Sequence, residues 1–251
     1  MLSKNQIKNI TSLHQKKQRE QQKLFIAEGE KLVDELLNSS FEIDHIYATK
    51  SWILTNKKRI KRNYLNEIDE NDLKKISLLA TPNKVLAIVK QKNNIHNELL
   101  FKNDLSLYLD DIRDPGNLGT IIRLAHWFGI KQIICSENTV EVYNPKVVQS
   151  TMGSIFHVPV INLELSDLLN NLSFKINVYG AYLDGKSIYN SPIKSGLLVI
   201  GNESNGIQEK NSRLIQQKIS IPSNNFNHSE SLNAAMATGI LLSEYFRNSK
   251  I

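Results

Sequence analysis

An amide, a glycine and a guanidinium occur at short spacing in one stretch of the chain, at Asn117, Gly119 and Arg123. They follow the apolar run Leu105–Leu109, which predicts a buried strand. Residues 114–117, Asp-Pro-Gly-Asn, have the composition of a turn. A strand, a glycine-bearing polar loop and the start of a helix form the arrangement in which α/β sheets hold ligands. The alternative is an ordinary strand-turn-helix unit with a surface arginine.

A second glycine-bearing turn, Gly201–Gly206, directly follows the apolar run Gly196–Ile200. Glycines at both of its ends would let main-chain N–H groups face a ligand, and Glu203 lies on the turn between them. A helical pattern follows at Ile207–Leu214. The alternative is therefore a tight turn whose acidic residue caps the start of a helix.

A third polar stretch precedes the last helix of the chain. Ile221-Pro222 ends a predicted strand, and a polar loop leads from there to Ser231, Leu232 and Asn233. The helix that follows is apolar on almost every face and must be covered on every face. Because a sheet covers only one side, we expect a second subunit to cover the other. A central core helix is the alternative.

The elements around these stretches alternate between strand and helix, which predicts an α/β fold with a mainly parallel sheet. In the first stretch the helix is expected to begin at Thr120, with Arg123 projecting away from its apolar face. That face consists of Ile121, Leu124, Ala125 and Phe128.

Strand and helix also alternate in the N-terminal part, where a helical arm is expected at residues 3–22. Residues 1–95 are predicted to form a small α/β domain, and residues 104–251 a second domain. The polar stretch Gln91–Asn103 has the composition of a linker between them.

The three polar stretches resemble, in order, the motifs of the SpoU (TrmH-like) family of RNA ribose methyltransferases, part of the knotted SPOUT superfamily. The first has the form Asn-x-Gly-x-x-x-Arg, the second Gly-x-Glu-x-x-Gly, and the third Ile-Pro followed by Ser-Leu-Asn. The loop Ser223–Glu230 departs from the family, because it has no glycine and is two residues longer. This difference leaves open the shape of the loop and its contacts with RNA.

The N-terminal part is similar to the substrate-binding domain that precedes the catalytic domain in many members of the family. That domain resembles an RNA-binding ribosomal protein. The similarity lies in FIAEGEKLVDELL at 25–37 and TPNKVLAIVK at 81–90. The basic run Lys57–Arg62 is either a contact for RNA phosphate or a solvated loop.

The resemblance implies an enzyme that transfers a methyl group from S-adenosylmethionine to a ribose 2′-hydroxyl of structured RNA. Its catalytic domain would be an α/β trefoil knot that forms a homodimer through the C-terminal helix. The two-domain layout favours ribosomal over transfer RNA. Positions that match the family's catalytic site are Asn117, Arg123, Glu203, Ser231 and Asn233, and positions that match its cofactor contacts through main-chain groups are Gly201, Ile221 and Leu232.

The expected role of Arg123 follows from the chemistry of its side chain. A guanidinium keeps its proton up to about pH 12 and is therefore a poor base. We expect Arg123 to bind a phosphate or to stabilise the developing alkoxide, with Glu203 and Asn233 orienting it and the neighbouring loops. The group that removes the hydroxyl proton stays open, with water and the phosphate itself as candidates.

Three other functions compete with this interpretation. They are a transfer RNA 2′-O-methyltransferase, a non-catalytic RNA-binding protein on the same scaffold, and a knotted enzyme that methylates a base. The intact motif residues argue against the non-catalytic protein. The motif Asn-x-Gly-x-x-x-Arg argues against the base-methylating enzyme.

Composition narrows the class of protein further. Of the 251 residues, 41% are hydrophobic, which is sufficient for a packed core. Lysine and arginine number 31 against 25 acidic residues, and the net charge of +6 permits an RNA partner without requiring one. Cys135 has no second cysteine with which to form a disulfide, and the scattered histidines predict no metal site.

Membrane and export signals are not found in the sequence. No apolar stretch approaches the length of a membrane span. The polar N-terminus lacks the apolar core of a signal peptide. We therefore expect a cytoplasmic protein without a membrane partner.

Overall fold

The computed structural model describes residues 1–60, 62–224 and 231–249 of the chain, which form two compact units. The first unit comprises Met1–Asn93 together with Glu141–His157. The second comprises Asn94–Val140 together with the chain from Val158 onward. The segment Glu141–His157, which the sequence places among residues 104–251, therefore belongs to the same compact unit as the N-terminal residues.

The secondary structure alternates between helix and strand along the chain. In order, the helices are α1 (Lys4–Ser12), α2 (Lys16–Gln22), α3 (Glu30–Leu37), α4 (Lys50–Asn56), α5 (Glu70–Ile76), α6 (Glu98–Asn103), α7 (Pro115–Trp127), α8 (Pro145–Ser150), α9 (Leu165–Asn171), α10 (Glu209–Ser212) and α11 (Ala234–Ser249). The strands are β1 (Leu24–Glu28), β2 (Ile43–Ala48), β3 (Leu65–Glu67), β4 (Val85–Lys90), β5 (Leu105–Leu109), β6 (Ile133–Cys135), β7 (Val160–Asn162), β8 (Val178–Ser187), β9 (Gly196–Ile200) and β10 (Gln217–Ser220).

The first unit is built on a four-stranded mixed sheet in the order β1-β4-β2-β3. Alternate residues of β1, β2 and β4 point to opposite faces, so each face has its own apolar core. One core contains side chains of α1, of its C-cap residue Leu13 and of α5, namely Ile10, Leu13, Leu73 and Ile76. The other contains side chains of α3, α4 and α8, namely Leu32, Val33, Leu36, Trp52 and Val148.

The segment Glu141–His157 completes the second of these cores. The ring of Tyr143 lies 4.5 Å from that of Phe25, and the ring of Phe156 lies 5.2 Å from that of Phe41. The carboxylate of Glu141 accepts two hydrogen bonds from the buried guanidinium of Arg19, at 2.9 and 2.5 Å. Aromatic packing and a paired charge therefore hold this segment within the first unit.

The second unit contains a six-stranded sheet in the order β10-β8-β9-β5-β6-β7, in which every neighbouring pair is parallel. This confirms the predicted α/β fold with a mainly parallel sheet. The strands β5 and β9 are adjacent, with Leu109 paired to Ile200, and both are buried along their whole length. Their carboxyl ends therefore lie side by side, and the first two polar stretches both begin there.

Two predicted helices have different boundaries. The helix expected from Thr120 begins at Pro115, because the side chain of Asp114 accepts a hydrogen bond from the Asn117 N–H at 2.8 Å and proline suits the first helical position. The arm expected as one helix at residues 3–22 is two helices, α1 and α2. Their junction is stabilised by Arg19, whose guanidinium donates to carbonyl groups at the end of α1.

Other elements were missed or misjudged in extent. The stretch Gln91–Asn103, expected as linker, contains α6, whose N-terminus is capped by Asn97. Helix α4 was not predicted, because Trp52 is its only buried side chain and gives no apolar period. The helix expected over Ile207–Leu214 is the single turn α10.

Candidate functional site

Helix α7 carries Asn117 in its first turn, beyond the carboxyl end of β5. The chain leaves the strand through Asp110 and Asp111, and Asp111 has a φ of 59°, in the left-handed region. The N–H of Asp111 donates to Ser136 Oγ at 2.9 Å, and its carboxylate pairs with Arg113. This fixed turn sets the start of α7 and with it the position of Asn117.

The turn Gly201–Gly206 is closed by its own main chain and by one side chain. The N–H of Asn202 donates to the Gly206 carbonyl at 3.0 Å, and the reverse bond is 2.9 Å. The side-chain oxygen of Asn202 accepts from the N–H groups of Ser204 and Asn205, while its amide nitrogen donates to the Asp111 carbonyl at 2.9 Å. A side chain at Gly201 would overlap the main chain of Gly206, so this position requires glycine.

The side chain of Asn117 connects the three polar stretches. Its amide nitrogen donates to Glu203 Oε1, and its carbonyl oxygen accepts from the amide nitrogen of Asn233 at 2.8 Å. The hydroxyl of Ser231 donates to the main-chain carbonyl of Glu203 at 2.9 Å. Four of the five predicted catalytic-site residues therefore form one hydrogen-bonded cluster, called here the amide cluster (Asn117, Glu203, Ser231 and Asn233).

Asn233 also determines where the last helix begins. Its side-chain oxygen accepts from the N–H groups of Ala235 at 2.9 Å and Met236 at 3.2 Å, so Asn233 is the N-cap of α11. The helix therefore starts at Ala234, directly after the third polar stretch. Because the oxygen is used for the cap, the amide nitrogen of Asn233 is the atom that bonds to Asn117.

Arg123, the fifth predicted residue, lies on the exposed face of α7. Ile121 and Ala125 of the same helix are buried, so the helix has the expected orientation. Within the described ranges, the guanidinium of Arg123 has no hydrogen bond or ion pair. Six residues along an α-helix turn a side chain by about 240°, which places Arg123 on a different side of α7 from Asn117. The hydrogen bonds expected to orient Arg123 are made to Asn117 instead.

The three positions predicted for cofactor binding have free main-chain groups. Gly201 directly follows β9, Ile221 directly follows β10, and Leu232 precedes α11 by two residues. None of them makes a main-chain hydrogen bond to another residue that the structure describes. Main-chain donors and acceptors at the carboxyl edge of a parallel sheet fit the adenine and methionyl groups of S-adenosylmethionine.

Two residues of this site were not singled out by the sequence. Asn202 organises the second turn, and the known tendency of asparagine to bond main-chain N–H groups two residues ahead could have identified it. Asp110 is fully buried, and its Oδ2 accepts from the Gln208 N–H at 2.7 Å. Burial raises the pKa of the Asp110 carboxyl above its ordinary value. Two consecutive acidic residues at a strand end were the only sequence signal for it.

Other chemistry is limited in the described residues. No group of three or more histidine, cysteine or acidic side chains among them could hold a metal ion. Burial raises the pKa of the Cys135 thiol to about 12, which leaves it protonated at neutral pH. The loop Ser223–Glu230 lies outside the described residues from Asn225 onward.

Within residues 1–60, 62–224 and 231–249, no helix is long and apolar enough to cross a bilayer.

Two family models match the chain. The model of the SpoU rRNA methylase family matches residues 104–243, and the model of an MRM3-like substrate-binding domain matches residues 4–87. The first match includes the whole amide cluster and all three predicted cofactor positions.

Curated proteins give a similar result. The chain is 29% identical over 249 residues to the 23S rRNA (guanosine(2553)-2′-O)-methyltransferase RlmP of Bacillus subtilis (strain 168), covering 96% of each. It is 29% identical over 171 residues to the mitochondrial rRNA methyltransferase 3 of Homo sapiens, covering 65% of this chain and 41% of that protein. The human protein is therefore much longer than the shared part.

Solved structures match over almost the whole chain. A structure from Porphyromonas gingivalis, assigned to the TrmH family of RNA methyltransferases, is 35% identical with a TM-score of 0.86 and covers 99% of each chain. An AdoMet-bound rRNA methyltransferase from Sinorhizobium meliloti is 29% identical with a TM-score of 0.85, covering 99% of this chain and 96% of that one.

Proposed function

Because the chain belongs to the SpoU rRNA methylase family, we propose that it transfers a methyl group from S-adenosylmethionine to a ribose 2′-hydroxyl of ribosomal RNA. The observation that carries this proposal is the amide cluster, in which Asn117 joins side chains from all three motifs. S-adenosylmethionine supplies an electrophilic methyl group when bound. The main-chain groups of Gly201, Ile221 and Leu232 would hold it at the carboxyl edge of the sheet.

The reaction needs the 2′-oxygen held in line with the methyl group and its negative charge stabilised. The amide cluster fixes the loops that surround the cofactor positions, and Glu203 and Asn233 act by orienting Asn117. Arg123, exposed and without an ion-pair partner among the described residues, remains available for the RNA. Its guanidinium would bind the phosphate next to the reacting ribose or the developing alkoxide, as its charge and planar shape allow.

Ribosomal RNA is favoured over transfer RNA by two comparisons. The relative that aligns with 96% of this chain is a 23S rRNA methyltransferase by name. A structure titled as an A. aeolicus TrmH/SpoU tRNA modifying enzyme matches only 61% of this chain. We assign RNA binding to residues 1–95 and methyl transfer to residues 104–251, and place the enzyme in the cytoplasm with its RNA.

We also propose that the enzyme is a homodimer through α11. In the second unit, three large apolar side chains are exposed on α7 and around the start of α11. They are Trp127 at 83% exposure, Met236 at 62% and Leu232 at 49%. Helices α7 and α11 lie against each other, with the side chain of Leu124 packed on Gly239. A second copy would remove this apolar surface from water.

Incubation with labelled S-adenosylmethionine and ribosomal or transfer RNA, followed by alkaline hydrolysis, tests the proposed reaction. Ribose methylation blocks cleavage at the modified position, so label in alkali-resistant dinucleotides from ribosomal RNA is the expected result. Label in mononucleotides would instead indicate base methylation. Label found only in transfer RNA would show that the substrate is transfer RNA. If no RNA were labelled, a non-catalytic RNA-binding protein would be favoured.

A further inference from the structure

The positive charge of this chain is concentrated in two short segments. Residues 1–23 contain five lysines, Arg19 and a single acidic residue, Glu20, and so carry a net charge of +5. The run Lys57–Arg62 carries another +5, so the rest of the chain carries −4 of the total of +6. From the sequence alone, only the second segment was a candidate for RNA contact.

The lysines of the first segment are available for a partner. Lys4, Lys8, Lys16, Lys17 and Lys23 are all exposed. Among the described residues, only Lys16 has an ion-pair partner, Glu20 at 3.6 Å. In the second segment, by contrast, Arg59 already pairs with Asp34 and donates to Asn38.

Helices α1 and α2 are fixed in place, so their lysines form a surface of defined shape. The side chains of Ile10 and Leu13 are buried against the sheet. The N–H of Leu2 donates to the buried carboxylate of Asp72 at 2.6 Å. The guanidinium of Arg19 is only 2% exposed, and it donates two hydrogen bonds to Glu141 and one each to the carbonyls of Leu13 and His14. A preorganised surface loses less entropy on binding than a flexible tail does.

The chemistry of this surface favours a polyanion. The apolar face of α1 is already buried, so no amphipathic face is left to enter a membrane. The exposed amides of Asn5, Asn9 and Gln21 lie in the same two helices and can donate to or accept from ribose hydroxyls. Lysines interspersed with amides, and almost without acidic residues, match the phosphate and ribose groups of RNA.

The two basic segments are associated with opposite faces of the sheet. Helix α1 packs on the face that contains α5, whereas α4, which leads into Lys57, packs on the other face. We infer that α1 and α2 form a second phosphate-binding surface for the RNA substrate, separate from the run Lys57–Arg62. This inference rests on the proposed function, since it takes the substrate to be RNA.

A triple variant, Lys4→Gln/Lys8→Gln/Lys17→Gln, tests this surface in the full-length chain. Each lost phosphate contact should reduce the magnitude of the slope of log affinity against log salt by about 0.7 to 0.9, so the loss of three should reduce it by about 2 to 3. Affinity for ribosomal RNA at low salt should fall at least about tenfold, because counterion release supplies much of the binding free energy. The KM for RNA should rise, while kcat at saturating RNA and the melting temperature stay at wild-type values.

Two matched variants serve as controls. Lys102→Gln/Lys175→Gln/Lys194→Gln removes three exposed lysines from the second unit and should leave the salt slope unchanged. Lys4→Arg/Lys8→Arg/Lys17→Arg keeps the charge and should retain wild-type affinity.

An active wild type with unchanged RNA affinity in the glutamine variant would overturn the inference and leave the proposed function intact. An equal loss of RNA affinity in the control variant of the second unit would also overturn the inference. Tighter binding of the wild type to vesicles with anionic lipid than to RNA would overturn it as well. Failure of the wild type to methylate any RNA would instead be a failure of the proposed function.

Discussion

Asn117 and Asn233, separated by 116 positions in the chain, are joined by a hydrogen bond of 2.8 Å from the amide nitrogen of Asn233 to the carbonyl oxygen of Asn117. The amide nitrogen of Asn117 donates in turn to Glu203. Because an ionised carboxylate can only accept, Glu203 determines which way the Asn117 amide is oriented. The start of α7, the second turn and the start of α11 are therefore held in one arrangement.

Substitution of either asparagine should slow methyl transfer, and the two effects should not add. Asn117→Ala and Asn233→Ala each break the connection, so the double variant should be only slightly slower than the slower single one. The expected coupling is about 0.5 to 3 kcal/mol, as for residues in one hydrogen-bonded network. Single-turnover methylation rates of the three variants measure it, with Thr120→Ala on the exposed face of α7 as control. Independent, additive losses would show that the two side chains do not act together.

Asn202→Ala should affect the reaction through Glu203. The variant removes the two hydrogen bonds that shape the turn and the one that joins it to Asp111. A small displacement of a positioned group costs about a hundredfold in rate, and the lost bonds should cost about 1 kcal/mol in stability. Asn205→Ala, at an exposed position of the same turn, is the control. Wild-type turnover in Asn202→Ala would remove this residue from the site.

Asp110→Asn should stabilise the protein, and more so at high pH. Burial raises the pKa of Asp110, so the folded state holds its proton more tightly than the unfolded state does. Stability from the protonated form is complete at low pH and is lost as pH rises through the raised pKa. Asparagine keeps the acceptor for the Gln208 N–H without the buried charge. The free energy of unfolding in urea should exceed that of wild type by about 1 kcal/mol at pH 8 and approach it near pH 4. A difference independent of pH would contradict this explanation.

Met236→Lys should dissociate the proposed dimer without unfolding the chain. The side chain of Met236 is exposed in the single chain, so a lysine there meets no buried neighbour, but at an apolar interface it would bring a charge out of water. Ser243→Lys, on an exposed position of the same helix, is the control for added charge. Light scattering at micromolar concentration should report a dimer for wild type and control and a monomer for Met236→Lys. A monomeric wild type would refute the interface.

The sequence predicted the parallel α/β sheet because apolar strand periods are local properties of the chain. The residues of the amide cluster were identified through the resemblance of the three motifs to the SpoU family. Local patterns did not reveal that Glu141–His157 belongs to the first unit. Its aromatic side chains, Tyr143 and Phe156, suit any core, and only the folded structure shows that they join the core around Phe25.

Local sequence patterns also could not predict the hydrogen-bond partner of each polar side chain. Glu203 and Asn233 were expected to orient Arg123 because all three match catalytic-site positions of the SpoU family. The partners of these side chains depend in part on where α7 begins. The cap at Asp114 places that start at Pro115, five residues earlier than expected.

The variant Arg123→Ala tests the proposed catalytic role of Arg123. The side chain is exposed and has no partner among the described residues, so stability should change by no more than about 0.5 kcal/mol. Affinity for S-adenosylmethionine should be retained, because the cofactor positions are Gly201, Ile221 and Leu232. Arg123→Lys keeps the positive charge but lacks the planar guanidinium with its paired N–H donors. It should therefore be little more active than Arg123→Ala.

The decisive measurement is the single-turnover rate of ribose methylation by Arg123→Ala at saturating cofactor and RNA, with melting temperature and cofactor affinity determined on the same preparation. We predict a rate about a hundredfold or more below wild type, as expected when a charge-stabilising donor is removed, with folding and cofactor binding intact. A rate close to that of wild type would refute the catalytic role of Arg123. A collapse of the melting temperature would instead show that Arg123 has a structural role.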